Sequence, residues 1–180
     1  MIYLFLAEGF EEIEALTPLD MLRRADVSVE TVGVGSKTVQ GAHGVGVIAD
    51  RTEDQVDLRA MDGIILPGGM PGTKNLEASP LVQKAIDHCM KNDLLVAAIC
   101  AAPSILGHKG LLKGKHATCF PGFEQDCAGA VIEQTAVVSH GNIITAKGAG
   151  CALAFGKAIV ARIKDVAEAD DLVCAMQGEL

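Results

Sequence analysis

Short, uninterrupted apolar runs alternate with longer amphipathic stretches along this chain, and this alternation restricts the fold more than any other feature. The run Leu-Leu-Val-Ala-Ala-Ile at residues 94–99 is typical of a strand that is covered on both faces of a sheet. Similar runs predict further strands at residues 2–7, 29–34, 63–66 and 136–146, the last turning as a hairpin at 140–142, with weaker strand signals at 44–49 and 117–120.

Helical periodicity separates these strands. It predicts helices at residues 11–25, 81–92, 103–109, 152–164 and 166–176. Strands that alternate with helices indicate an α/β fold, a doubly wound sandwich with a mostly parallel central sheet. A length of 180 residues predicts one domain over residues 1–180.

Composition excludes several classes of partner. Aromatic residues make up 3% of the chain, Trp is absent and the formal net charge is −8, which disfavours stacking on single-stranded nucleic acid and contact with a phosphate backbone. No run approaches the roughly 20 apolar residues of a membrane span. The first apolar run reaches Glu8 before it could form the core of a secretion signal, so we expect a cytoplasmic protein with no membrane or nucleic-acid partner.

Six cysteines are present, and none forms a C-x-x-C pair. At this length and without a secretion signal, we expect reduced thiols rather than disulfides, and no structural zinc. The sequence also lacks G-x-G-x-x-G, which indicates no nicotinamide or flavin cofactor. We therefore expect no metal and no cofactor.

The chemically unusual residues follow the predicted strands. Ligands of doubly wound sheets bind outside the carboxyl ends of the strands. The segments found there are Glu8-Gly9, Pro67-Gly68-Gly69, Cys100, Pro121-Gly122 and Lys147-Gly148. The sequence therefore predicts a site at this edge of the sheet.

Cys100 is the sharpest of these features. A buried strand ends there, and a helix follows at once with Pro103 near its first turn, where Pro is favoured. A nucleophile on such a turn is held in a strained, exposed pose, and a nearby helix N-terminus lowers a thiol pKa. A small buried cysteine of the core fits the same residues, and the local sequence leaves both interpretations open.

Glu14 borders the apolar face of the first helix, where partial desolvation would raise its carboxyl pKa. A protonated carboxyl can donate a hydrogen bond to a thiolate or move a proton. Glu11 and Glu12 are explained by the dipole at the start of that helix. Arg24 suits the other end of the same dipole, with an anion contact as the alternative.

Gly68 and Gly69 follow a buried strand. Paired glycines let backbone N–H groups approach a ligand or an oxyanion, although a simple tight turn would use the same residues. The local sequence does not decide between these two roles.

Four motifs in order resemble the ThiJ/PfpI superfamily, in the branch of the Parkinson-disease protein deglycase and its bacterial relatives, and the resemblance covers essentially the whole chain. The motifs occupy residues 8–14, 18–25, 66–69 and 97–103. The resemblance implies a flavodoxin-like sandwich that forms a homodimer. It also implies that Cys100 is a reactive, readily oxidised thiol, that protonated Glu14 binds its sulfur, and that the backbone amides of Gly69 and Ala101 form an oxyanion pocket.

One residue departs from that pattern. Many members of the branch carry a His before the Pro that follows the sixth strand, and this chain has Phe120-Pro121. Phe cannot accept or relay a proton, so chemistry that needs a histidine base at this position is in doubt.

Three functions follow from the resemblance and from the residues. The first is a cofactor-independent glyoxalase or deglycase, in which Cys100 attacks a small α-oxoaldehyde or its glycated adduct and Glu14 moves the protons. The second is an oxidative-stress sensor or chaperone that works through oxidation of Cys100 to sulfinate. The third is a Cys-dependent amidase or peptidase, which requires an imidazole near Cys100. Ala101 stands where the protease-like branch has His, which weakens this third hypothesis.

Overall fold

The computed structural model describes residues 1–178 as an α/β sandwich. The strands among the described residues are β1 (Ile2–Leu6), β2 (Val29–Gly33), β3 (Thr38–Gln40), β4 (Gly46–Ile48), β5 (Arg51–Thr52), β6 (Gly63–Leu66), β7 (Leu95–Ile99), β8 (His116–Ala117), β9 (Val131–Ile132), β10 (Val137–His140) and β11 (Ile143–Ala146). The α-helices are α1 (Glu12–Arg24), α2 (Gly72–Ala78), α3 (Pro80–Lys91), α4 (Pro103–His108), α5 (Ala152–Ile163) and α6 (Val166–Ala175).

The central sheet has the strand order β10-β11-β7-β6-β1-β2-β5. Its neighbouring strands are parallel except for the antiparallel pair β10 and β11. The chain begins at β1, moves outward to β2 and then returns past β1 to β6. The order therefore reverses between β1 and β6, and the crevice at such a point is where ligands of doubly wound sheets bind.

Both faces of the sheet are buried at its centre, which explains why β1, β6 and β7 have no polar alternation. In β1, Tyr3 and Phe5 belong to the apolar cluster on one face, while Leu4 and Leu6 belong to the cluster on the other. Helices α3 and α4 cover the first face, and α1 and α5 cover the second. The predicted fold class is confirmed.

The weaker strand predictions succeed only in part. The segment 44–49 contains β4, which pairs with β3 in a separate antiparallel hairpin. The segment 117–120 keeps only Ala117 in β8, which pairs with β9 outside the central sheet. Helix α2 was not predicted, because its seven residues begin with Gly and have too few turns for a periodic signal.

Among the described residues, no helix is both long enough and apolar enough to cross a bilayer. The single domain over residues 1–180 stays a prediction, and residues 179 and 180 lie outside the described residues.

Candidate active site

Cys100 lies on the turn between β7 and α4, with a backbone φ of +65°. This left-handed conformation is uncommon for a residue with a Cβ, and strain of this kind costs about 1–3 kcal/mol. Two backbone hydrogen bonds hold the turn: the Cys100 N–H donates to the Ala146 carbonyl at 2.9 Å, and the Phe120 N–H donates to the Cys100 carbonyl at 2.8 Å. The residue is partly exposed, so the predicted strained and accessible pose is confirmed.

Glu14 reaches this turn from α1, and only 1% of the residue is exposed. Its Oε2 accepts a hydrogen bond from the Gly68 N–H at 2.9 Å. Its Oε1 is buried and has no hydrogen bond of regular geometry to any described residue. Burial raises the pKa of the Glu14 carboxyl to about 7, although interactions with the Cys100 thiol and the Gly68 N–H pull it down. The predicted desolvation is confirmed.

Gly68 is close to both Cys100 and Glu14. A Cβ added to Gly68 would lie 2.7 Å from Cys100 Cβ and 2.7 Å from Glu14 Oε2, closer than real Cβ contacts allow. Gly68 is therefore needed for space. Its own N–H is used by Glu14, so the prediction that Gly68 supplies an oxyanion donor is wrong for this arrangement.

Burial and the nearby Glu14 carboxylate raise the pKa of the Cys100 thiol to about 12. The sequence predicts the opposite direction, and that prediction is wrong. Helix α4 begins three residues later, at Pro103, and has only six residues, so its dipole does little at the sulfur. Glu14 raises the pKa of the Cys100 thiol, whereas Cys100 lowers the pKa of the Glu14 carboxyl, so the protonation of each group depends on the other.

The backbone amides of Gly69 and Ala101 both lie near the Cys100 sulfur. Both N–H groups interact with it and lower the pKa of the Cys100 thiol, against the effects of burial and Glu14. Gly69 has a φ of +89°, and a Cβ there would lie 2.4 Å from the Glu11 backbone nitrogen. Only glycine therefore lets this amide approach. Its role as an oxyanion donor stays a prediction, as does that of Ala101.

Arg24 is not part of this site. It lies in the last turn of α1, ten residues and roughly 15 Å of helix from Glu14. Its Nε donates to Asp20 Oδ2 at 2.6 Å. Helix α1 runs away from the carboxyl ends of the strands, so Arg24 lies at the opposite end of the sheet from Glu14, and its contact with an anionic ligand stays a prediction.

Sequence analysis missed the role of Glu12. Glu12 is 8% exposed, and its Oε1 accepts hydrogen bonds from the backbone N–H groups of His43 at 2.8 Å and Val45 at 3.3 Å. Its Oε2 lies 3.0 Å from His43 Nδ1. Glu12 thus clamps the segment 43–45 to the start of α1, a long-range contact that has no local sequence signal.

One group of described residues has donor atoms close enough to hold a metal ion: Glu11, Glu12 and His43. The Glu12 oxygens are already used by the clamp, so the group is explained without an ion. Within the described residues, no hydrogen bond joins an imidazole to Cys100 or Glu14. The amidase hypothesis therefore lacks the base that it requires.

Phe120 is also part of the surroundings of Cys100. It is 46% exposed, whereas Phe5, Phe10 and Phe155 are fully buried. Its ring faces the strand-end segment at Gly148, where an added Cβ would lie 3.2 Å from Phe120 Cδ2. The position that carries His in many members of the branch thus presents an apolar ring to solvent.

Comparisons with known proteins show the family of the chain. The chain matches the model of the DJ-1/PfpI family over residues 1–162. Protein DJ-1beta of Drosophila melanogaster is 34% identical over 153 residues, covering 83% of this chain and 82% of that protein. A deglycase of Pyrococcus horikoshii is 33% identical over 150 residues, covering 80% of this chain and 88% of that relative.

A solved structure is similar over nearly the whole chain. The crystal structure of a cysteine-to-alanine mutant of a DJ-1 superfamily protein from Salmonella typhimurium superposes with a TM-score of 0.93 at 32% identity, covering 99% of this chain and 98% of that one. The matched regions include β1, α1, β6 and β7, the elements that place Glu14, Gly68 and Cys100. The chain belongs to the DJ-1/PfpI family.

Proposed function

We propose that this protein converts small α-oxoaldehydes, or their adducts with amines and thiols, into 2-hydroxy acids without a cofactor. One observation carries the proposal: a partly exposed thiol on a strained turn meets a buried carboxyl whose pKa is about 7. A group whose pKa lies near the working pH can both accept and donate a proton. The similarity to a protein named as a deglycase supports the same class of substrate.

The reaction begins with an addition. The Cys100 sulfur bonds to the aldehyde carbon, and the thiol proton passes through Glu14 to the carbonyl oxygen, which gives a hemithioacetal. The Gly69 and Ala101 N–H groups stabilise the negative charge on that oxygen during the addition. When the substrate is an amine adduct, the C–N bond breaks as the S–C bond forms, and the proton leaves with the amine.

A proton shift and a hydrolysis complete the turnover. Glu14 removes the hydrogen from the former aldehyde carbon as a proton and returns it to the neighbouring carbon, while the hydroxyl proton passes to the neighbouring ketone oxygen, which yields the thioester of a 2-hydroxy acid. Water then attacks the thioester, the S–C bond breaks and the proton returns to sulfur. Methylglyoxal and one water give lactate, with no external oxidant or reductant.

Lactate formation from methylglyoxal by the purified, chelator-treated protein tests the proposal. We expect Cys100→Ser to reduce the rate to background, because a hydroxyl is a much weaker nucleophile than sulfur. Cys174→Ser is the matched control, since this thiol is exposed on α6 and should be dispensable. A Cys100→Ser protein as active as the parent would remove the covalent step.

A second function, sensing of oxidants, has support from the same site. Two equivalents of peroxide would convert the Cys100 thiol to a sulfinic acid and release two waters. Sulfinate oxygens could then accept hydrogen bonds from protonated Glu14 Oε1, which has no regular partner now, and from the Gly69 and Ala101 amides. A gain of about 32 Da on Cys100 alone after mild peroxide is the expected result. Oxidation spread evenly over the exposed Cys174 and the other thiols would argue against a sensor.

The homodimer is part of the proposal as well. Three exposed apolar side chains, Ile13 (54%), Val45 (49%) and Ile48 (71%), lie on α1 and the adjacent hairpin that Glu12 clamps to it. Apolar side chains clustered on one surface often mark an interface between proteins. A chaperone activity and a cytoplasmic location stay predictions.

A further inference from the structure

The surface beside Cys100 contains a cleft of about 350 Å³, which we call the Phe120 cleft. Its walls include Phe120 and Pro121 on one side and Gly148, Ala149 and Cys151 on the other. An apolar cavity of roughly 150 Å³ accommodates a benzene molecule, so this volume is sufficient for one ring.

Both walls of the Phe120 cleft are joined to the backbone of Cys100. The Phe120 N–H donates to the Cys100 carbonyl at 2.8 Å, and the Cys100 N–H donates to the carbonyl of Ala146, two residues before Gly148, at 2.9 Å. The cleft therefore begins one hydrogen bond from the residue that would carry a substrate adduct, at the carboxyl ends of β7 and β11.

The surface that lines the cleft is mostly apolar. Phe120 keeps 46% of its surface exposed, although aromatic side chains usually gain stability from burial. The charged group on the cleft is the Lys147 amine, which donates to Gln134 Oε1 at 3.2 Å. The Phe120 ring edge packs close to the Gly148 backbone, because an added Cβ would lie 3.2 Å from Phe120 Cδ2. A flat, apolar group can therefore stack only on the exposed face of the ring, above the apolar floor of the cleft.

We propose that the Phe120 cleft receives the substituent of the α-oxoaldehyde, and that Phe120 makes the protein selective for aromatic and bulky aliphatic substituents over hydrogen or methyl. This inference rests on the proposed function, and it names the substrates which that function favours. Phe120 is a specificity-determining residue in this proposal, whereas Cys100 and Glu14 perform the chemistry.

The test compares kcat/KM for phenylglyoxal, which gives mandelate, with kcat/KM for methylglyoxal, which gives lactate. Initial rates are taken before either aldehyde modifies arginines, with Cys100→Ser as the blank. We expect Phe120→Ala to lower the ratio of the two values about tenfold, since apolar contacts in a pocket discriminate on this scale. Phe120→Leu should lie between the parent and Phe120→Ala. The ratio cancels any loss of folded protein, and its change from parent to variant cancels the intrinsic reactivity of each aldehyde.

A second variant changes a residue in the opposite wall of the cleft. Gly148 has a φ of 167°, an extended conformation that Ala also adopts, so Gly148→Ala adds a methyl that presses on the Phe120 ring and shifts it, without backbone strain. We expect it to lower the same ratio. Val131→Ala is the matched control, because Val131 is 49% exposed on β9 and does not line the cleft, and it should leave the ratio unchanged.

The outcomes separate the two proposals. If the parent converts both aldehydes and Phe120→Ala leaves their ratio unchanged, the cleft inference is wrong and the proposed function stands. If the parent converts neither aldehyde, the proposed function fails and the inference falls with it.

Discussion

At the scale of single residues, the chemistry depends on when the Glu14–Cys100 pair loses its first proton. The pKa of the Glu14 carboxyl is about 7 and that of the Cys100 thiol about 12, so the carboxyl ionises first. The resting pair above neutral pH is therefore a carboxylate beside a thiol. This differs from a standing thiolate, and in the proposed reaction Glu14 is the base that removes the thiol proton as sulfur adds to the carbonyl carbon.

The pH dependence of activity follows from this order of ionisation. We expect kcat/KM for methylglyoxal to rise about tenfold per pH unit below about pH 7 and to level off above it, as Glu14 becomes ionised. Glu14→Gln keeps an oxygen for the Gly68 N–H but cannot move a proton, so the rate should fall by roughly 10²–10⁴-fold and lose this pH dependence. An unchanged profile in Glu14→Gln would show that another group is the base.

The buried Glu14 carboxyl also lowers the free energy of unfolding when it ionises. Its pKa rises from 4.5 to about 7 on folding, so the folded protein binds this proton more tightly than the unfolded chain does. Stability from this group is present below about pH 4.5 and is lost as the pH rises through about 7. A tenfold change in the proton equilibrium is worth about 1.4 kcal/mol, so the loss approaches about 3 kcal/mol.

Glu14→Gln removes this titration. We expect the variant to gain up to about 3 kcal/mol over the parent at pH 8 and much less at pH 5, as measured by urea unfolding at both values. Glu8→Gln serves as a control, because Glu8 is exposed at the same edge of the sheet. An equal difference between Glu14→Gln and the parent at both pH values would contradict the buried ionisation.

At the scale of elements, the start of α1 organises the site and the hairpin together. Glu14 bonds to the segment after β6, while Glu12 bonds to the segment between β3 and β4. Burial raises the pKa of the Glu12 carboxyl, but the hydrogen bonds from His43 and from backbone N–H groups outweigh it, and the pKa falls below its ordinary value. The pKa of Glu12 is thus lowered and the pKa of Glu14, two residues later, is raised. The difference arises because the Glu12 carboxylate accepts more hydrogen bonds than the Glu14 carboxyl does.

The Glu12 clamp can be removed separately. Glu12→Ala leaves the N–H groups of His43 and Val45 without their acceptor, which costs about 1–3 kcal/mol when such groups stay buried. We expect hydrogen exchange to become faster across β3, β4 and their connecting turn, while the strands of the central sheet keep their protection. Glu11→Gln is the control, since the Glu11 carboxylate makes only a 3.5 Å contact with His43 Nδ1. Unchanged exchange in the hairpin would show that the clamp is dispensable.

At the scale of the whole molecule, Ile13, Val45 and Ile48 are exposed on α1 and on the hairpin that Glu12 clamps to it, a candidate interface surface outside both buried cores. We expect light scattering to give twice the mass of one chain, because we propose that a homodimer covers this surface. Ile48→Lys should shift the protein toward the monomer, since a charge would then be buried at the interface. Val131→Lys introduces the same charge at an exposed site outside this surface and should leave the mass unchanged. A parent protein with the mass of one chain would remove the dimer.

Much of the architecture was predictable from local patterns. Apolar runs such as 94–99 lie in β7, since a parallel strand buried on both faces needs apolar residues throughout. The hairpin of β10 and β11 turns where His140, Gly141 and Asn142 predict it. The short α2 and the shortened strand at 117–120 were not predictable, because both depend on neighbours distant in the sequence rather than on their own pattern.

In the candidate site, too, some features follow from the local sequence and others only from the tertiary structure. The amino-acid order by itself determined that Cys100 ends a buried strand, that Glu14 borders an apolar helix face, and that glycines follow β6, because each of these depends on residues within one or two turns. The tertiary structure decided that Glu14 takes the Gly68 N–H, that the pKa of the thiol rises instead of falling, and that Arg24 lies at the far end of the sheet. Those outcomes depend on burial and on the distances between charges carried by different elements, and both exist only after the sheet has assembled.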